Sequence, residues 1–265
     1  MIINFFDIFS IFIIFLLFNI MITLFVIVLK YIYDLKKLNK LLINNKLLII
    51  CDIPDKIKKY YSFLTTNIFD LDDCDNIIHF LINNKNMSLI LDTNGGSTIS
   101  NDILLNYIIE SKLELKTYVI RKASSAGTLL ALASDKLYMN NDAYLTPTEP
   151  QITILDKTYS VKSIIELYNN KDNNLISDVN LLGYYEFKKS YDENIETVKK
   201  LLNTKFKFNI SKKEKNKLID DFTEGNISHH MPFGCRYLQK YLKIDNNITS
   251  IVYGIYDSYF YLIKY

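Results

Sequence analysis

All five alanines of this 265-residue chain fall in the window Ala123–Ala143, and that clustering constrains the local backbone more tightly than anything else in the sequence. A background rich in Ile, Asn, Lys and Tyr would place larger residues there unless sterics forbade them, so the backbone must approach something closely. The run before the window's core, Lys116–Arg121 (KTYVIR), predicts a β-branched strand, and Ala126–Ser134 predicts a buried helix rich in Leu and Ala. Ser125 falls on the strand-to-helix turn between them, where unpaired N–H groups and the positive helix end face outward. That location suits a nucleophile whose attack creates an oxyanion. The alternative is that Ser124 or Ser125 simply caps the helix.

A second turn has the same setting. Lys46–Cys51 (KLLIIC) predicts a first strand, Asp72–Asn83 a helix and Met87–Asp92 (MSLILD) a second strand, which runs into Thr93-Asn94-Gly95-Gly96-Ser97. Neighbouring glycines can present bare N–H groups to an anion, or they can form an ordinary turn. A helix over Asn101–Ser111 follows, capped by Ser100, with Ile103, Leu104, Tyr107 and Ile108 on one face. In a parallel α/β unit of this order, both turns come to the same edge of the sheet. Beyond the alanine window's helix, Lys136–Asn140 predicts a short strand. Ala143–Gln151, with Pro147 and Pro150, predicts a stiff extended segment, either the wall of a groove or a rigid connector. His79 sits within a helix between apolar neighbours, a setting typical of a packed or hydrogen-bonded residue rather than a catalyst.

Residues Ile8–Leu29 are interrupted only by Ser10, Asn19 and Thr23, long enough at about 1.5 Å per residue to cross a hydrocarbon core of about 30 Å. The sequence after it, KYIYDLKK, lacks the small residues of a signal-peptidase cleavage site. Lys30, Lys36, Lys37, Lys40 and Lys46 crowd its C-terminal flank, so the positive-inside rule puts the rest of the chain on the cytosolic side. Residues 1–30 are thus expected to form a transmembrane anchor, 31–45 a basic juxtamembrane linker, 46–250 the folded domain and 251–265 a Tyr-rich tail. The net charge is only +2 and Arg is confined to Arg121 and Arg236, so no basic stripe supports nucleic-acid binding. Cys51, Cys74 and Cys235 are odd in number and far apart, which suits free thiols, and neither they nor His79, His229 and His230 have zinc-ligand spacing.

With these elements in place, the chain resembles the Clp protease and signal-peptide-peptidase-A superfamily, in particular its serine dehydrogenase proteinase-like membrane branch. The likeness rests on LILDTNGGS (Leu89–Ser97), SSAGTLLALASDKLYM (Ser124–Met139), LTPTEPQ (Leu145–Gln151) and NISHHMPF (Asn226–Phe233), and runs over roughly residues 47–245. It implies an α/β fold of the Clp/crotonase type, built from repeated β-β-α units, and a homo-oligomer. It also implies Ser125 as nucleophile and an oxyanion hole from backbone N–H groups at Gly95, Gly96 and Ala126. The implied reaction is hydrolysis of a protein or peptide through an acyl-enzyme, without a cofactor.

The general base is less determined. In soluble Clp proteases a histidine lies about two dozen residues after the nucleophile, an interval that falls here on Glu149 and Pro150. Signal-peptide-peptidase relatives use a lysine on a later helix. On the helix predicted for Asp178–Asn203, a stripe of Leu181, Tyr184, Lys188, Tyr191, Ile195, Val198 and Leu202 has Lys188 as its only charged member. Burial there would favour the neutral amine and so a Ser125–Lys188 dyad, with Lys189 on the polar side. His229, in the C-terminal motif, is the other candidate base or a structural residue; its neighbour His230 stands where an acidic residue is expected. A catalytically silent membrane scaffold of the same fold is the rival reading, and acyl-CoA chemistry of the crotonase type ranks behind both.

Overall fold

The computed structural model describes residues 5–53, 58, 67–84, 86–111, 113–172, 178–204, 210–224 and 228–264. Its centre is a parallel sheet. The strands are β1 (Leu47–Cys51), β2 (Ile68–Phe69), β3 (Ser88–Thr93), β4 (Lys116–Ala123), β5 (Lys136–Met139) and β10 (Ile244–Asp245), in spatial order β10-β5-β4-β3-β1-β2. Two further short strands, β6 (Tyr144–Leu145) and β9 (Phe233–Gly234), extend it. β6 runs parallel to the end of β4 and antiparallel to β9. The strands and helices predicted from sequence between residues 46 and 140 appear within a few residues of their expected bounds.

Alternate strand residues divide between two cores, as a period of two requires when both sheet faces are covered. Leu48, Ile50, Leu89, Leu91 and Val119 face one layer of helices: α2 (Cys74–Asn83), α3 (Thr98–Glu110), α4 (Ala126–Leu132), the C-terminal half of α6 (Asp178–Thr204) and α7 (Lys212–Thr223). Leu47, Ile49, Cys51, Ile90 and Ile120 face the other layer, made by α1 (Phe5–Asn44) and α9 (Ser250–Lys264). A hairpin of β7 (Gln151–Ile154) and β8 (Lys157–Ser160) leads into α5 (Val161–Asn169), which packs on α6. A single turn, α8 (Cys235–Leu238), follows β9.

Two regions differ from the sequence reading. Of residues 31–45, expected as a linker, 31–44 continue α1 without a break, and Leu35, Leu38 and Leu42 dock on the sheet while Lys36, Lys37 and Lys40 stay in solvent. Their 3,4 spacing makes this stretch an amphipathic helix. Within residues 251–265, expected as a tail, the described part belongs to α9, whose Val252, Ile255, Tyr256 and Tyr259 are buried beside α1. Upstream, Phe12–Leu29 keeps its apolar side chains exposed, on a helix long and apolar enough to cross a membrane.

Candidate active site

β4 ends at Ala123 and α4 begins at Ala126, so Ser125 lies on the turn. Its φ of +52° and ψ of −118° are a conformation that a residue with a side chain adopts only when its surroundings force it. The forces are visible. The Ser125 N–H donates to Thr146 Oγ1 at 2.9 Å, and its carbonyl accepts from Thr128 N at 2.8 Å. The Ser125 side chain makes no capping bond to α4, so the capping role is not the one it plays. A strained strand-to-helix turn that projects its serine from the sheet end is the geometry of a nucleophile elbow. The alanine window follows from packing. A Cβ on Gly127 would stand 2.6 Å from Thr93 Cγ2, and all five alanines are buried.

The glycine turn is pinned by two carboxylates. Asp52 accepts from Thr93 Oγ1 at 2.7 Å, from Asn94 N at 2.9 Å and from Asn94 Nδ2 at 2.7 Å, and Asp72 accepts from Ser97 N at 2.6 Å. Gly95 has φ +115°, and a Cβ there would lie 3.0 Å from both Ser124 O and Ser125 Cβ. The two turns are therefore in contact. Among the described residues, the N–H groups of Gly96 and Ala126 have no partner, and both residues line the cavity beside Ser125. The Gly95 N–H instead donates to Thr93 Oγ1 at 3.1 Å, which leaves Gly96 and Ala126 as the donors open to an anion.

The cavity has a volume of about 380 Å³ and is also lined by Glu149 and His229. Their arrival has a topological cause. β6 is inserted between β4 and β9, so residues just after β4, just after β6 and just before β9 meet at one sheet end. The segment after β6 is tied to α4 where Thr128 Oγ1 donates to Thr146 O at 2.9 Å. It is tied to α7 where Thr148 N donates to Phe222 O at 2.7 Å. His229 Nδ1 stands 3.0 Å from Glu149 Oε1, with the carboxylate side chain 1% and the imidazole 12% exposed. The approach is not aligned as a hydrogen bond, since among the described residues Nδ1 has no hydrogen-bond partner, so the carboxylate and the imidazole are close neighbours that form an ion pair only when the ring is protonated. Glu149 Oε2 is buried and, among the described residues, without a partner.

Lys188 is not brought to this cavity. It is exposed on α6 and borders a shallow surface depression with Tyr185, Lys189 and Glu193. The apolar stripe is buried only where α6 crosses the core, at Val198 and Leu202. The face of α6 turned to the cavity carries Ser190, Glu193, Asn194 and Thr197 instead. Lys189 is likewise exposed, and His79 lies exposed on α2, its ring 3.3 Å from Asn83 Nδ2. His230 lines the cavity beside His229. Glu149 carried a sequence signal that pointed elsewhere: it occupies the interval at which a Clp histidine was sought. Cys51, Cys74 and Cys235 are free and buried, and among the described residues no group of His, Cys, Asp and Glu could hold a metal ion.

Parallel strands delivering two touching turns to one sheet end, with a serine at one apex, form a Clp-type α/β architecture. Across residues 2–263 it matches the ClpP-like SDH-type serine proteinases, and it belongs to that family. A relative in Methanocaldococcus jannaschii, the uncharacterized protein MJ1495, is 28% identical over 200 residues. The match takes in 75% of this chain and 65% of that relative, so it spans just under two thirds of the relative's length. Among solved structures, the 1510-N membrane-bound stomatin-specific protease, as a mutant in complex with a substrate peptide, is 14% identical. It superposes with a TM-score of 0.44 over 78% of this chain and 77% of that one. ClpP1 from Listeria monocytogenes is 13% identical, with a TM-score of 0.46 over 78% and 95%.

Proposed function

We propose that this protein is a membrane-anchored serine peptidase in which Ser125 is the nucleophile, His229 the general base and Glu149 the carboxylate that holds the imidazole. The observation that carries the reading is the convergence on one cavity of Ser125, two partnerless amides and the His229–Glu149 pair. Ser125 Oγ attacks the scissile carbonyl carbon while its proton passes to His229 Nε2. The carbonyl π electrons move onto oxygen, and that oxyanion accepts from the N–H groups of Gly96 and Ala126. Collapse of the tetrahedral intermediate breaks the C–N bond, and the leaving amine takes the proton from Nε2. Water, deprotonated by the same imidazole, then releases the acid and restores Ser125. With Glu149 on the Nδ1 side, Nε2 is the ring nitrogen that this reading assigns to the serine proton.

This assignment prefers His229 to Lys188 because the lysine is exposed and absent from the cavity wall. Phe12–Leu29 supplies the anchor, and the lysines of its C-terminal flank support a cytosolic orientation of the domain. The test is labelling of the full chain in detergent with a fluorophosphonate probe. Covalent modification of Ser125, lost in Ser125→Ala and strongly slowed in His229→Ala, is the expected result. An unlabelled folded protein, or labelling that persists in Ser125→Ala, would reject the reading.

A further inference from the structure

Beyond Ser125 the cavity continues to a polar end built by two facing helices. α3 contributes Thr98, Asn101 and Asp102, and α6 contributes Ser190, Glu193 and Asn194. Each set follows the i, i+3, i+4 spacing that puts side chains on one helix face. The charges are one-sided. Among the described residues, three carboxylates line the cavity and its only basic groups are the imidazoles of His229 and His230, with no lysine or arginine. Glu149 is matched by His229, whereas Asp102 and Glu193 have no cationic partner among the described residues.

Two observations show that this end lacks something. Partial burial first, and the neighbouring Glu193 carboxylate second, raise the Asp102 carboxyl above its ordinary range, although its outer surface remains open to solvent. Beside it, Asn101 is 1% exposed, and its Oδ1 has no hydrogen-bond partner among the described residues. A buried carbonyl oxygen left so is unfavourable by about 1–3 kcal/mol until a donor reaches it. An occupant that brings both a positive charge and several N–H donors would satisfy the carboxylates and the amide together.

We propose that this end of the cavity is a specificity subsite for a lysine or arginine side chain of the peptide substrate. Asp102 and Glu193 supply the countercharge, and Asn101 Oδ1 accepts one of the N–H groups. Identifying the occupant as part of a substrate rests on the peptidase reading above. The site's preference for a cation does not, because it can be measured without turnover.

The test uses the full chain in detergent micelles as the Ser125→Ala protein. Neutral fluorescent peptides carry one Lys, Arg, norleucine or Glu at each position in turn, and binding is followed by anisotropy. At one position Lys and Arg are expected to bind roughly five- to tenfold tighter than norleucine, the range of a partly sheltered ion pair, and Glu weaker still. Asp102→Asn and Glu193→Gln preserve shape, and together they bring that ratio below about twofold. The overall charge of +2 would not itself favour cationic peptides. Equal binding of Lys and norleucine at every position, or a preference that survives the double variant, overturns the proposal. Cleavage of the same peptides by the unsubstituted protein reports separately on the peptidase reading.

Discussion

Ser125 and Gly95 sit in contact, so a methyl group is enough to separate them. In Gly95→Ala the new Cβ would meet Ser124 O and Ser125 Cβ at 3.0 Å with φ at +115°. The variant is expected to lose about 1–3 kcal/mol of stability by chemical denaturation, and its probe labelling should fall even where the protein stays folded. This pair was legible in the sequence because its chemistry is steric: small residues at strand ends leave a mark that composition cannot hide. Glu149 and His229 were not legible as a pair. They lie 80 positions apart, and only the β4-β6-β9 splice brings them together. Lys188 misled for a related reason, since a helical stripe identifies a face without saying how far along the helix that face is covered. Tyr191, three residues on, is partly buried: burial first, and then the Glu224, Asp192, Glu166 and Glu149 carboxylates, push its phenol up to about 12 from 10.0. The native state therefore holds this proton more tightly than the unfolded chain does. The stability it lends is complete below pH 10 and is lost as pH rises toward about 12. Thermal melts of Tyr191→Phe should show a shallower decline across that interval than the parent.

At the scale of elements, the sheet's second face depends on helices from opposite ends of the chain. Leu38 on α1 is 1% exposed and Tyr259 on α9 is fully buried, both in the core on this face of the sheet. Leu38→Ala should lower unfolding free energy by about 2–5 kcal/mol, the usual loss for a buried leucine. A polar lock ties α9 to the strand that ends at the glycine turn. Asp92 is buried, with Arg121 Nη2 3.5 Å from its Oδ1 and Tyr256 donating to its Oδ2 at 3.2 Å, while Arg121 lies over the Phe260 ring. Removing the guanidinium leaves a buried carboxylate uncompensated. Because Arg121 is itself 42% exposed, Arg121→Met is expected to lose about 2–3 kcal/mol, below the full range for an enclosed pair. The order of strand, helix and strand between residues 46 and 140 announced the parallel sheet, because a helix carries the chain back between parallel strands. The docking of α1 and α9 was missed because lysines in one and tyrosines in the other made each look like a solvated flank, whereas only alternate faces are solvated.

For the whole molecule, the apolar stretch of membrane-spanning length and the folded domain are joined by one uninterrupted helix, about 60 Å long at 1.5 Å per residue over its 40 residues. The membrane-length part and the sheet-docked part of α1 are thus a single rigid element. A chain beginning at residue 31 keeps Leu35, Leu38 and Leu42 and should fold, leave the membrane fraction on flotation, and still cleave short peptides. The central claim is that Ser125 and His229 act as one unit, and kcat/KM for the single and double variants measures it most directly. Ser125→Ala and His229→Ala should each lose about 10²–10⁴-fold or more, the double variant should be no worse than the poorer single one, and Lys188→Ala should stay within about twofold of the parent. Near-parental activity in His229→Ala together with loss of activity in Lys188→Ala would contradict the account.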